Sequence, residues 1–217
     1  MKFPFSRKTV MHAPHLAHGI YTDKSEPVVE VKSKMKIFER ERTSYQCSRV
    51  VFMGGPGVGK SAIIARYLYG DYREYHERTV EDFHSRTFKI GTVLLQLDII
   101  DTTGSYVFPA MRRVAMAKGD VFALVYSVDD FQSFEEVLAI QKEIHEQRPR
   151  RNYSVVVVGN KLDLREKREI APDEAEMMSC GESREEFLET SARDNINIEC
   201  LFERIFCQSV NKEGISS

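Results

Sequence analysis

The sequence predicts an α/β domain in which helices cover both faces of a mainly parallel sheet. Short apolar runs at residues 50–53, 121–125 and 155–158 alternate with segments of helical periodicity, which is typical of parallel strands buried on both faces. A glycine-rich loop stands directly between the first apolar run and the first helical segment. In such folds ligands bind beyond the carboxyl ends of the strands, and the loop lies at that edge.

The remaining elements follow in order along the chain. Residues 93–100 predict a further buried strand, and residues 187–189 predict a last, short one. Residues 62–68 form an amphipathic helix, Ser133 caps a second helix, and Pro172 begins another. Five apolar residues at helical spacing predict a core-facing stripe on the final helix: Ile198, Leu201, Phe202, Ile205 and Phe206.

The length of 217 residues predicts one domain with extensions. We assign residues 1–47 to an N-terminal extension, residues 48–210 to the domain and residues 211–217 to a short C-terminal tail. The extension lacks sustained periodicity, so we expect it to be largely disordered. It carries nine Lys or Arg against five Asp or Glu residues, which leaves a net charge of +4 there and −6 on the rest of the chain.

Composition excludes several classes of protein. The net charge of −2 gives no argument for nucleic-acid binding, and no apolar run approaches the roughly 20 residues that cross a bilayer. The four cysteines lack paired metal-ligand spacing, and no secretory signal is visible. We therefore expect a cytoplasmic protein with reduced thiols. Its basic extension predicts only a weak, salt-sensitive attraction to membrane surfaces.

The glycine-rich loop has the sequence Gly54-Gly55-Pro56-Gly57-Val58-Gly59-Lys60-Ser61. Such a turn at a helix start points several backbone N–H groups at one place, where the helix dipole also favours negative charge, so the predicted ligand is a polyphosphate. Lys60 would reach the outer phosphates as a point charge, and the Ser61 hydroxyl would ligate a Mg²⁺ ion. The alternative is a loop that is glycine-rich only in order to turn, which the strand–loop–helix context disfavours.

Further motifs follow three predicted strands. Asp101 would hold Mg²⁺ through water, and Gly104 would let a backbone N–H approach the terminal phosphate. In Asn160-Lys161-Leu162-Asp163, the Asp163 carboxylate could accept two N–H groups from the edge of guanine, and the Lys161 stem could lie over the base. A backbone N–H within residues 190–192 could meet the guanine carbonyl. Each motif alone equally fits a polar loop after a strand, but together they predict a guanine-nucleotide site.

These four motifs, in this order and with these separations, resemble those of the Ras-like small GTPases over about residues 48–210. The resemblance implies a P-loop NTPase fold of the small-GTPase type, with a six-stranded, mostly parallel sheet, one antiparallel edge strand and five helices. It also implies a first-switch threonine at Thr79, an effector loop at residues 75–83 and an aromatic residue against the guanine at Tyr72. Residues 101–113 look closest to the Di-Ras, Rhes and Dexras branches.

The ligands that the resemblance implies are GTP or GDP with Mg²⁺. The nucleotide would be contacted by Gly55, Gly57, Val58, Gly59, Lys60, Ser61, Ala62, Tyr72, Thr79, Gly104, Asn160, Lys161, Asp163, Ser191 and Ala192. Mg²⁺ would be held by Ser61, Thr79 and Asp101. Hydrolysis would depend on Lys60, Thr79, Gly104 and Ser105.

The chain departs from the family pattern at three places. Ser105 stands where Ras and many relatives have a glutamine that orients the attacking water, so we expect slow intrinsic GTP hydrolysis. Pro56 removes an N–H donor and fixes φ beside the point where an arginine finger of an activating protein would approach. The last four residues, 214–217, lack a prenylation cysteine, and Lys2 is incompatible with myristoylation, so we expect no lipid anchor.

Three functions stay open at the level of sequence. The first is a regulated switch that cycles between GDP and GTP, with effectors bound through residues 75–83 and with an exchange factor and an activating protein as further partners. The second is a constitutively GTP-loaded platform for effectors, which Ser105 and Pro56 favour. The third, a P-loop ATPase or kinase, shares the phosphate loop but gives no reason for the motif at residues 160–163.

Overall fold

The computed structural model describes residues 29–31, 44–72, 82–102, 109–149, 152–180 and 185–210. Within these ranges the strands are β1 (Val29–Val31), β2 (Ser44–Met53), β3 (Asp82–Ile90), β4 (Val93–Asp101), β5 (Val121–Ser127), β6 (Ser154–Asn160) and β7 (Glu186–Glu189). The helices are α1 (Lys60–Tyr69), α2 (Pro109–Lys118), α3 (Phe131–Gln147), α4 (Pro172–Cys180) and α5 (Ile198–Val210), with a 3-10 helix at Leu162–Lys167. No helix in these ranges is long and apolar enough to span a bilayer.

The described strands form one sheet in the order β1-β3-β4-β2-β5-β6-β7. The β3–β4 pair is antiparallel, from Asp82 opposite Asp101 to Ile90 opposite Val93, and the other neighbours are parallel. The predicted six-stranded, mostly parallel small-GTPase sheet is confirmed in strands β2 to β7. The short strand β1 adds a seventh member outside β3, so part of the predicted edge is covered at residues 88–90.

Helices lie on both faces of the sheet, as the alternation of apolar runs predicts. On one face α1 and α5 pack on the sheet, and all five residues of the predicted α5 stripe are buried. Phe202 of that stripe stacks on Tyr67 of α1, with ring centroids 3.7 Å apart. The other face carries α2, α3 and α4, whose core includes Phe134 against Tyr126. Because both faces are covered, every residue of β5 is buried, which explains its continuous apolar sequence.

The N-cap predicted for α3, Ser133, is wrong, because the observed N-cap lies about one helical turn earlier in the chain. The helix begins at Phe131, and its N-cap is Asp130, whose side chain accepts a hydrogen bond from the Ser133 backbone N–H at 3.1 Å. Ser133 instead lies inside the first turn, where its hydroxyl donates to the Asp130 carbonyl and accepts from the Ser127 N–H. Its polar atoms are thus satisfied in a buried position, which is a structural role for this serine.

The sheet order brings distant polar residues to one edge. Strands β2, β4, β5, β6 and β7 run parallel, so their carboxyl ends lie at the same side of the sheet. The glycine-rich loop follows β2, Asp101 ends β4, Asn160 ends β6, and Thr190 follows β7. This edge is the place where open α/β sheets bind their ligands.

Candidate functional site

The glycine-rich loop packs tightly onto the ends of β5 and β6. Gly54 has φ +139°, and a Cβ there would lie 2.0 Å from the Val125 carbonyl oxygen. Gly59 has φ +99°, and a Cβ there would lie 2.3 Å from Nδ2 of Asn160. Gly59 is also the N-cap of α1 and supplies no side-chain cap. The loop therefore needs glycine at these two positions, and the first N–H groups of α1 are left for a ligand.

Lys60 is folded back into this loop. Its side chain is only 5% exposed, and Nζ donates to the carbonyl oxygens of Gly54 at 2.9 Å and Gly55 at 2.8 Å. Burial lowers the pKa of Lys60 to about 8, although the carboxylates of Asp101 and Glu136 act in the opposite direction. An ammonium has three N–H donors, so one donor stays available for a ligand once the two carbonyls are satisfied.

Asp101 and Ser61 form a pair of oxygen donors beside Lys60. Asp101 is 2% exposed, its side chain is hydrogen-bonded to Ser61, and its Oδ1 is buried without a hydrogen-bond partner among the described residues. Burial raises the pKa of Asp101, while Ser61 and Lys60 oppose that shift. A buried carboxylate oxygen without a partner is unfavourable, and it would be satisfied by a hard cation such as Mg²⁺, directly or through water. The donor set present therefore fits this ion.

Asn160 joins three loops at the other end of the site. It is 2% exposed, and its Nδ2 donates to the Val58 carbonyl oxygen at 2.8 Å. Its Oδ1 accepts from the Thr190 hydroxyl at 3.1 Å and from the Ala192 backbone N–H at 3.3 Å. The sequence predicts that a backbone N–H within residues 190–192 meets a guanine carbonyl, and of these the Ala192 N–H is bound to Asn160 here. Asn160 couples the phosphate loop to the loop after β7.

Asp163 is held in place by a short chain of hydrogen bonds. Its Oδ1 accepts from the Ser191 hydroxyl at 2.6 Å, and the Ser191 oxygen accepts from the Asp194 backbone N–H at 3.0 Å. The preceding Lys161 adopts φ +64° and is the N-cap residue of the 3-10 helix that contains Asp163. The carboxylate is therefore oriented before a ligand arrives.

Arg66 is a site-forming residue that the sequence reasoning missed. From α1 it donates to the carbonyl oxygens of Ala192 and Arg193, at 2.8 Å each. Its guanidinium carbon also lies 5.4 Å from the ring centroid of Tyr72, which packs half-buried against the core. Arg66 thereby connects the predicted aromatic residue to the loop after β7. Nothing in the local sequence of a surface helix marks an arginine for such a contact.

The structure brings most of the predicted residues to one edge of the sheet. Val58 is buried under Asn160, and Ser61 and Ala62 lie half-buried in the first turn of α1. Gly57 has φ +74° with open space around its Cα, so no contact restricts that position. Thr79, Gly104 and Ser105 lie outside the described residues, as does most of the effector loop. The residues predicted to bind the phosphates therefore lie next to those predicted to bind the base. The switch residues belong to the part of the chain that the structure does not describe.

The fold and the phosphate loop define a P-loop α/β protein of the small-GTPase type. A sequence model of the Ras family matches residues 49–211. The chain therefore belongs to the Ras family, and the predicted resemblance is confirmed.

Curated relatives agree with this assignment. The chain is 38% identical over 167 residues to the human GTP-binding protein Rhes, covering 73% of this chain and 63% of Rhes. It is 39% identical over 162 residues to the GTP-binding protein Di-Ras2 of Pongo abelii, covering 72% and 79%. It is 36% identical over 180 residues to the GTP-binding protein drn-1 of Caenorhabditis elegans, covering 80% and 78%. The match thus spans less than two thirds of the length of Rhes.

Proposed function

We propose that this protein is a guanine-nucleotide-binding switch of the Ras type, which binds GTP or GDP with Mg²⁺ and hydrolyses GTP slowly. The main support is that one sheet edge combines a buried lysine in a glycine loop with an oriented carboxylate at Asp163. The first is suited to phosphates and the second to a base with adjacent N–H donors. Family relatives that are named GTP-binding proteins support the same function.

At the phosphate end, the chain supplies positive charge and N–H donors. The N-terminus of α1 and the third donor of Lys60 would bind the phosphate oxygens. Ser61 and Asp101 would hold Mg²⁺, with Thr79 as a further ligand from the first switch. An ion held by these residues would neutralise negative charge on the phosphates. Thr79 and the Gly104 N–H would contact the γ-phosphate, so two loops would be held in one arrangement that relaxes after hydrolysis.

At the base end, Asp163 would read guanine. Its carboxylate accepts the two N–H groups of the guanine edge, whereas adenine presents no such pair. Lys161 would cover one face of the base with its stem, and Tyr72 would lie against the guanine, held by Arg66. A wrong base would leave buried polar groups unpaired, which is how such a site discriminates strongly.

Calorimetry in the presence of Mg²⁺ tests the base preference. We expect GTP to bind at least about 100-fold more tightly than ATP, because the adenine complex leaves Asp163 unpaired. Asp163→Asn should remove most of this preference, since an amide offers only one acceptor oxygen. Asp173→Asn is the matched control, because Asp173 is an exposed acid at the start of α4. Equal affinity for ATP would contradict the proposal and favour a P-loop ATPase or kinase.

The slow hydrolysis is a separate element of the proposal. Ser105 is too short to orient the attacking water as a glutamine would, and losing one such contact commonly costs on the order of 10² in rate. Single-turnover GTP hydrolysis should therefore be much slower in the wild type than in Ser105→Gln. A wild-type rate equal to that of glutamine-bearing relatives would refute this part.

A constitutively GTP-loaded effector platform is the second candidate. Pro56 supports it, because this residue is exposed on the loop and offers no N–H group where an arginine finger would approach. Both candidates predict effectors at residues 75–83, and the switch additionally requires an exchange factor and an activating protein. The nucleotide that copurifies with the chain separates them: mostly GDP indicates a cycling switch, and mostly GTP indicates the platform.

A further inference from the structure

The side chain of Glu136, on α3, lies against the glycine-rich loop at Gly55. Its Oε2 is buried and has no hydrogen-bond partner among the described residues. A Cβ added to Gly55 would lie 2.5 Å from this oxygen. The carboxylate therefore occupies the space that a side chain at position 55 would need, in contact with the loop backbone.

This carboxylate lies within electrostatic range of Lys60. Glu136 lies against the Cβ position of Gly55, and the carbonyl oxygen of the same glycine accepts a hydrogen bond from Lys60 Nζ at 2.8 Å. Among the acidic groups of the described residues, Asp101 and Glu136 are the two whose negative charges attract the Lys60 ammonium. Lys60 thus already has two counter-charges in the nucleotide-free protein. One of them, Asp101, belongs to the predicted Mg²⁺ site, whereas Glu136 has no part in it.

The environment of Glu136 does not suit a purely structural residue. Buried polar atoms in folded proteins are nearly always hydrogen-bonded, and one that is not destabilises the fold. A carboxylate is attracted to a loop whose backbone N–H groups are arranged for an anion, so Glu136 and a bound phosphate would compete for the same positive field. Its position against Gly55 is therefore best explained by an electrostatic interaction with the Lys60 ammonium, which binds the carbonyl of the same glycine.

We propose that Glu136 is a positioning residue that competes with the nucleotide phosphates for Lys60 and thereby speeds the release of GDP. This inference rests on the proposed guanine-nucleotide function. In the nucleotide-free protein Glu136 balances the ammonium, and when phosphates bind it becomes a like charge beside them. The repulsion is little screened, because the oxygen that faces the loop is buried. Differences in affinity of this kind appear mainly in the dissociation rate.

The test compares two neighbouring charges on the same helix. Glu136→Gln removes the charge and keeps the shape, and the matched control Glu135→Gln removes an exposed charge one residue earlier. The dissociation rate of a fluorescent GDP analogue is measured in Mg²⁺ and in EDTA, at low and high salt. We expect Glu136→Gln to slow release by about 3- to 30-fold under all four conditions. Glu135→Gln should change the rate by less than about twofold, and only at low salt.

Further variants distinguish charge from shape. Glu136→Asp keeps the charge and shortens the side chain, so it should release GDP faster than Glu136→Gln. If both variants release GDP at the same slow rate, shape is responsible and the inference is wrong. Release from Glu136→Gln at the wild-type rate, or faster, also overturns it. If the wild type binds no guanine nucleotide, the proposed function itself fails. Thermal unfolding monitored by circular dichroism verifies that each variant is folded.

Discussion

Replacing Asn160 by alanine should destabilise the protein before any nucleotide binds. The Asn160 amide makes three hydrogen bonds, with the Val58 carbonyl, the Thr190 hydroxyl and the Ala192 N–H. The residues that carry these partners are at most 3% exposed, so truncation leaves three buried polar groups unsatisfied. At about 1 kcal/mol for each neutral hydrogen bond, and more where a buried group loses its partner, the free energy of unfolding should fall by about 3–5 kcal/mol. A typical domain has only about 5–15 kcal/mol in total.

Urea unfolding of the nucleotide-free protein, followed by circular dichroism, measures this loss. The matched control is Asn152→Ala, which removes an exposed amide whose oxygen accepts from Arg148 Nη2 at 2.7 Å. Surface substitutions of this kind usually change stability by about 0.5 kcal/mol or less. The affinity for GDP should also fall at least about tenfold in Asn160→Ala, because the phosphate and base loops lose their connection.

One result would refute this reasoning. If Asn160→Ala unfolds within about 0.5 kcal/mol of the wild type and loses only GDP affinity, Asn160 acts by contacting the ligand. The loops would then be held by their own backbone contacts, and the three hydrogen bonds would contribute little.

Four further outcomes follow from the packing and the site. Gly59→Ala should weaken GDP binding more than about 100-fold in a fluorescence titration, because its Cβ would lie 2.3 Å from Asn160 Nδ2. Gly70→Ala, at φ +67° with open space, should cost only about 1–2 kcal/mol of stability. Phe202→Ala should lower the free energy of unfolding in urea by about 3–5 kcal/mol, since the ring is fully buried and stacked on Tyr67. Burial raises the pKa of Tyr67 above its ordinary value of 10.0, so the unfolded chain loses its phenol proton first. Stability should therefore fall as pH rises above about 10, and Tyr67→Phe should reduce this fall in alkaline unfolding curves.

Local patterns were enough to predict most of the secondary structure. The apolar runs became β2, β4, β5 and β6, because strands buried on both faces need continuous apolar sequence. The cap of α3 was missed because Asp130 and Ser133 are both good capping residues, and local sequence does not choose between them. The structure chose Asp130, since Ser133 satisfies buried groups of the preceding strand end. Strand β1 was also missed, because its pairing depends on the exposed edge of β3 and not on periodicity.

The residues of the candidate site also fall into two groups, those that the sequence could predict and those that it could not. Lys60 and Asp163 could be predicted because the glycine loop and the motif at residues 160–163 have specific spacing. Arg66 and Glu136 could not, because their contacts join residues far apart in the chain and follow no spacing rule. Thr190 was predicted only as part of a loop, yet its buried hydroxyl helps to hold Asn160.

The amino-acid sequence by itself determined the class of fold, the phosphate loop and the order of the motifs, because apolar periodicity and the need for glycine at a tight turn are local properties. Only the tertiary structure decided that Asn160 ties three loops together, that Arg66 links Tyr72 to the loop after β7, and that Glu136 lies under Gly55. These contacts depend on the order of strands in the sheet, which sets the distances between residues that are remote in the chain.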